Sequence, residues 1–151
     1  MIWIISLNSS LGHIYSYEPK KHQLKLLETL ENPAGKLKTS DLISDVPGHY
    51  KTSHSTKGAY EWPSDPHDVE VDRFTKNLAS LLKKGHDEHH FTQLILCAPP
   101  HVGGILLSNL DKQVEQALLT NIKKNFVEAD ASVLISYLKD NWWDIIRSNK
   151  I

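Results

Sequence analysis

The chain has 151 residues, 40% of them hydrophobic and 23% charged, with a formal net charge of -1. That is long enough to bury about 70% of the unfolded surface around one core, and so near neutrality that attraction to a polyanion has to come from a local patch. The single cysteine, Cys97, excludes an intrachain disulfide framework and, inside the apolar run LILCA, reads as a small buried hydrophobe in a reducing compartment.

The N-terminal run MIWIISLN has no basic lead and is too short for a signal sequence, and no apolar stretch approaches the roughly 20 residues that span a bilayer. The expectation is a cytoplasmic protein without membrane insertion, with export by an unconventional route left open.

Residues 2–7, 13–17 and 23–31 read as strands separated by the turns NSSLG and EPKKH, an antiparallel meander. Leu24, Leu26 and Leu30 against Gln23, Lys25 and Glu31 give the alternation of a sheet with one wet face, imperfect at Leu27. Residues 47–66, PGHYKTSHSTKGAYEWPSDP, carry three prolines and two glycines and show no hydrophobic period. They read as a long loop, which in a compact domain is usually functional or disordered.

Asp65 then stands as a helix N-cap, with Pro66 at the first helical position and Asp68 in the first turn, where negative charge is favoured. Val71, Phe74, Leu78, Leu81 and Leu82 form one apolar stripe, and Gly85 reads as the stop. Glu70 with Arg73 and Asp72 with Lys76 are spaced to pair on the polar face. The near-continuous apolar run Phe91–Ala98, ended by two prolines, predicts a parallel strand covered on both faces. A short helix over 101–110, a strand within 116–126 and C-terminal helical structure follow.

The order βββαβαβα predicts one α/β domain over residues 1–139, with a loop at 46–65 and a helical extension over 140–151. A meander followed by βαβ units implies a mixed five-stranded sheet with helices on its faces, the layering of the ribonuclease H-like fold. Ile4, Leu26, Phe74, Leu78, Leu94, Leu96 and Ile122 are the expected core.

Several groups could carry chemistry. In the loop, Lys51 and Lys57 with His49 and His54 are interleaved with Tyr50, Tyr60 and Trp62. Cations that reach phosphate and rings that stack on unpaired bases are what single-stranded RNA or tRNA contacts require; the competing reading is a solvated loop. In GHDEHH, the residues His86, Asp87, Glu88, His89 and His90 are of metal-ligating types, yet neighbours in a turn cannot converge on one ion, so no metal is expected. The first strand carries no acidic residue for two-metal nuclease chemistry.

His101, Gly103 and Gly104 follow the strand ending at Ala98, where ligands of open α/β sheets tend to bind. His101 could serve as acid or base and the glycines could admit a phosphate, or simply pack on the sheet. No nucleophile–base–acid set, phosphate-cradling loop or dinucleotide fingerprint is present, and no cofactor or enzymatic activity is expected. Trp142 and Trp143 with Ile145 and Ile146 cannot all share one helix face, so part of this apolar surface needs a second contact, which is either core or a partner or homodimer surface.

The segment ENPAGKLKTSDLISDVPGHY (31–50), with SDP before a helix containing DRF and with LILCAPP beyond it, resembles the bacterial host attachment protein family over roughly residues 1–139. That resemblance implies a protein–protein interaction module in attachment to host cells or virulence. A remoter resemblance is to the middle domain of archaeal and eukaryotic class 1 peptide chain release factors, in which three strands lead into a long loop and a long helix. It implies that residues 47–66 contact RNA, tRNA or the ribosome. The release-factor loop carries Gly-Gly-Gln; here Gly58 is followed by Ala59 and the loop has no glutamine, so peptide release is not expected.

Overall fold

Alternating and continuous apolar runs become strands wherever one or both of their faces can be buried, and the sheet follows from that rule. The structure, a computed structural model, describes residues 1–33 and 66–148. Its elements are β1 (Ile2–Leu7), β2 (Leu11–Glu18), β3 (Gln23–Glu31), α1 (Pro66–Asp87), β4 (Gln93–Cys97), α2 (Pro100–Asn109), α3 (Lys112–Gln116), β5 (Leu118–Ile122) and α4 (Ala131–Ser148).

They form a five-stranded mixed sheet in the order β3-β2-β1-β4-β5. The β1–β2 and β2–β3 pairs are antiparallel, and β1–β4 and β4–β5 are parallel. This is the expected mixed α/β architecture, and its strand order is consistent with the ribonuclease H-like arrangement.

Burial explains why β1 and β4 are apolar apart from Ser6 and Gln93. Ile5, Leu7, Leu94 and Leu96 pack with Val71, Phe74, Leu78 and Leu82 of α1 and with Val102, Leu106 and Val114 of α2 and α3. On the opposite face Ile2, Ile4, Ile95 and Cys97 pack with Leu134, Leu138 and Ile145 of α4. The helix therefore starts at Pro66 and buries the stripe expected of it, while Arg73–Glu70 and Lys76–Asp72 pair at 3.1 and 3.0 Å on its wet side.

Three expectations are corrected. Leu26, placed in the core by alternation, is 51% exposed. β3 is the outer strand, and of its α4-facing leucines only Leu24 reaches that helix's cluster. Second, α1 does not stop at Gly85. A Cβ there would lie 2.8 Å from the ring of Trp3, so this glycine lets β1's tryptophan reach the helix backbone. The turn that ends α1 comes later, at His89, whose φ is 62°. The His89 amide donates to His86 O and the His90 amide to Gly85 O, at 3.0 and 2.8 Å, a Schellman closure.

Third, the strand expected within 116–126 is confined to Leu118–Ile122 and is preceded by the unanticipated α3, capped by Asp111 accepting from the Gln113 amide. The C-terminal helix α4 runs unbroken through residue 139. Among the described residues, no helix is long and apolar enough to cross a membrane.

Candidate functional site

The carboxyl ends of β1 and β4 gather the polar groups that the two apolar faces exclude. At the end of β1, Asn8 Oδ1 accepts from the amides of Ser10 and Leu11 at 2.9 and 2.8 Å. Asn32, only 8% exposed, then ties the end of β3 to this turn: its amide donates to Ser10 O at 2.8 Å and its Nδ2 to Ser9 O at 2.9 Å. Asn32 is the asparagine of the Asn-Pro pair, and the chain leaves the described region just after it.

The chain re-enters at α1, whose first turn reaches the same end of the sheet. Asp68 Oδ1 lies 2.8 Å from His101 Nε2, in the first turn of α2, directly after β4. A turn further along α1, Asn109 Nδ2 donates to Asp72 Oδ1 and Thr75 Oγ1 at 3.0 and 2.9 Å. The Asn109 amide, then Lys76, holds the Asp72 carboxyl below its ordinary range. Both flanks of residues 34–65 are thus anchored at the carboxyl ends of the parallel strands, where open α/β sheets offer their ligand sites.

His101 is the imidazole at this end of the sheet. Its ring is 68% exposed, and with Nε2 engaged by a carboxylate its Nδ1 is left to a ligand. Of the nucleophile-type side chains at this end, the two on β1 and β4 lie on the opposite face of the sheet. Ser6 and Cys97 are register partners on β1 and β4, on the α4 side of the sheet, and are 1% and 0% exposed. Burial pushes the Cys97 thiol up to about 12, so it stays protonated.

Gly103 is buried, and its amide is spent within the helix on Pro99 O at 2.8 Å. Only Gly104 stands in open space. A side chain at Gly103 would meet Ala98 and Asn121 at ordinary contact distance. Asn121, which the strand pattern did not single out, lies beneath that turn: its Oδ1 is 3.8 Å from a Cβ built on Gly103 and, among the described residues, accepts no hydrogen bond. An amide side chain inside an apolar strand was the available signal.

The remaining expected residues disperse. His49, Tyr50, Lys51, His54, Lys57, Gly58, Tyr60 and Trp62 lie outside the described residues. In the GHDEHH turn, Asp87 pairs with Lys83 and Glu88 with His90, each at 3.0 Å, while the His90 ring stacks on Trp3. Trp142 packs its ring 5.5 Å from that of Tyr17, and Trp143 is 74% exposed. On the α4 face, a shallow groove of about 370 Å³ between β5 and α4 is lined by Lys123, Lys124, Tyr137 and Asn141.

The described residues thus form a mixed-sheet scaffold whose chain leaves and re-enters at the carboxyl ends of its central strands. The chain belongs to the family described as "Protein required for attachment to host cells", which matches residues 3–138. None of the curated proteins matches it.

Among solved structures it is similar to Dom34 of S. cerevisiae, described as a translation termination-like factor involved in RNA quality control pathways and interacting with Hbs1. The TM-score is 0.51 at 14% identity, over 99% of this chain and 36% of that one. It is also similar to the archaeal translation termination factor aRF1, with a TM-score of 0.48 at 12% identity, over 99% of this chain and 39% of that one. The chain therefore spans less than two fifths of the length of either, and the likeness is one of fold.

Proposed function

We propose that this protein is a non-enzymatic binding module that associates with RNA or the ribosome through residues 47–66. The observation that carries the proposal is the joint anchoring of the described chain on either side of residues 34–65, the stretch that contains nearly all of that segment. Asn32 holds the outgoing chain to the β1–β2 turn and Asp68 holds the incoming helix to His101, at one end of the sheet. A rigid frame under a long connection is the usual arrangement of a recognition element.

The composition of the segment supports a phosphate-bearing partner: Lys51 and Lys57 supply charge, and Tyr50, Tyr60 and Trp62 supply stacking planes. His49, His54 and Gly58 complete the proposed surface. The fold likeness to a translation termination-like factor supports the same direction. Native co-purification tests it: RNA and ribosomal proteins should elute with the parent protein, and their absence would contradict it.

The family description favours a second reading, a protein–protein interaction module in attachment to host cells. Its mark would be an attachment defect on deletion with no RNA or ribosome in the eluate.

A further inference from the structure

We propose that the outer edge of β3 is a self-complementary interface on which a second copy of this chain adds its own β3, antiparallel, to make one continuous sheet. β3 is nine residues long and pairs on one side only, with β2, among the described residues. Leu26 and Leu27 on it are 51% and 42% exposed. A long edge with exposed leucines is a template for another strand unless something blunts it.

The β-bulge in β3 decides the register. Lys25 pairs with Ser16 and Glu28 with Ile14, so an extra residue is accommodated at Leu27. Ser16 and Ile14 are two apart on β2 and point to the same face. Lys25 and Glu28, three apart, therefore share that face as well, which an unbulged strand would forbid. It is the face covered by α1, because Ile14 belongs to that helix's cluster. Leu24 and Thr29, opposite Tyr17 and His13, fall on the other face.

A twofold axis normal to the sheet keeps each copy's α1 face on the same side. The antiparallel register that sets Lys25 opposite Glu28 of the second copy then matches faces throughout. It repeats the ion pair symmetrically, opposes Leu24 to Thr29, and brings Leu26 and Leu27 of both copies together at the axis. Registers centred on Lys25 or on Glu28 would oppose like charges and are disfavoured. Both side chains are exposed and, among the described residues, neither is in an ion pair. The proposal is independent of any nucleic-acid role.

Light scattering on the full chain at tens of micromolar tests it. The parent should have twice the monomer mass. Lys25→Glu and Glu28→Lys should each give the monomer mass, and the double exchange Lys25→Glu with Glu28→Lys should restore the dimer. Leu27→Glu, which places like charges at the axis, should also give monomers, and circular dichroism would establish that each variant is folded. A monomeric parent, a dimer that survives both single exchanges, or a folded double exchange that stays monomeric would each overturn the proposal. Loss of the dimer only on Trp143→Ala would assign the interface to α4 and overturn it too.

Discussion

Asp68 and His101, 33 positions apart, meet at 2.8 Å where the first turns of α1 and α2 converge. Neither residue alone marks a site: an acid in a first helical turn and a histidine after a strand are both common. Together they fix the entry of α1 against the end of β4. The pair is largely exposed, so His101→Ala should lower stability by less than about 1 kcal/mol, while weakening any partner bound at this end. A loss well above that in chemical denaturation would show that the bond holds the fold itself.

Gly85 is predicted to be intolerant of any side chain. Gly85→Ala should cost about 1–3 kcal/mol by overpacking against Trp3, and Trp3→Phe in the same chain should return part of it. Additive losses in the double variant would mean that the two residues do not interact, contrary to the 2.8 Å approach.

Much of the fold was legible because it rests on local chemistry. Pro66 and Asp68 mark the start of α1, and the stripe from Val71 to Leu82 reports the face it buries. What was not legible depends on distant partners. Gly85 resembles a helix stop until Trp3 is known to lie on it, and the turn is made instead by His89, which adopts φ > 0 less readily than a glycine would. Leu26 obeys strand alternation, yet alternation cannot tell an outer strand from an inner one. Of the candidate site, His101 was found from its place after a strand, whereas Asp68 and Asn121 needed the tertiary structure. The sequence treats Trp142 and Trp143 alike, as core or as a partner surface, whereas the structure packs Trp142 on Tyr17 and leaves Trp143 74% exposed.

That division gives a third prediction. Trp142→Ala should cost about 2 kcal/mol, since the ring packs on Tyr17, and Trp143→Ala should change stability by no more than about 0.5 kcal/mol. Equal effects in thermal or denaturant unfolding would contradict the assignment.

His13 predicts a pH dependence. Burial holds its imidazole below the ordinary 6.5, against a hydrogen bond to the Val127 backbone that acts the other way. The unfolded chain therefore binds a proton that the folded chain resists, so this contribution to stability is present above pH 6.5 and is lost as pH falls through the lower folded value. The thermal midpoint should fall between about pH 7 and about pH 5.5, and His13→Gln should fall less. A variant with an unchanged pH slope would remove His13 as the cause.

Ribosome co-sedimentation at near-physiological salt, with parent protein and the Lys51→Ala, Lys57→Ala double variant side by side, tests the binding role most directly. The parent should sediment with ribosomes in a steeply salt-dependent way. The double variant should bind more weakly, with the salt slope reduced by up to about two units and the melting temperature nearly unchanged. No association by the parent, or equal association by the double variant, would contradict the account.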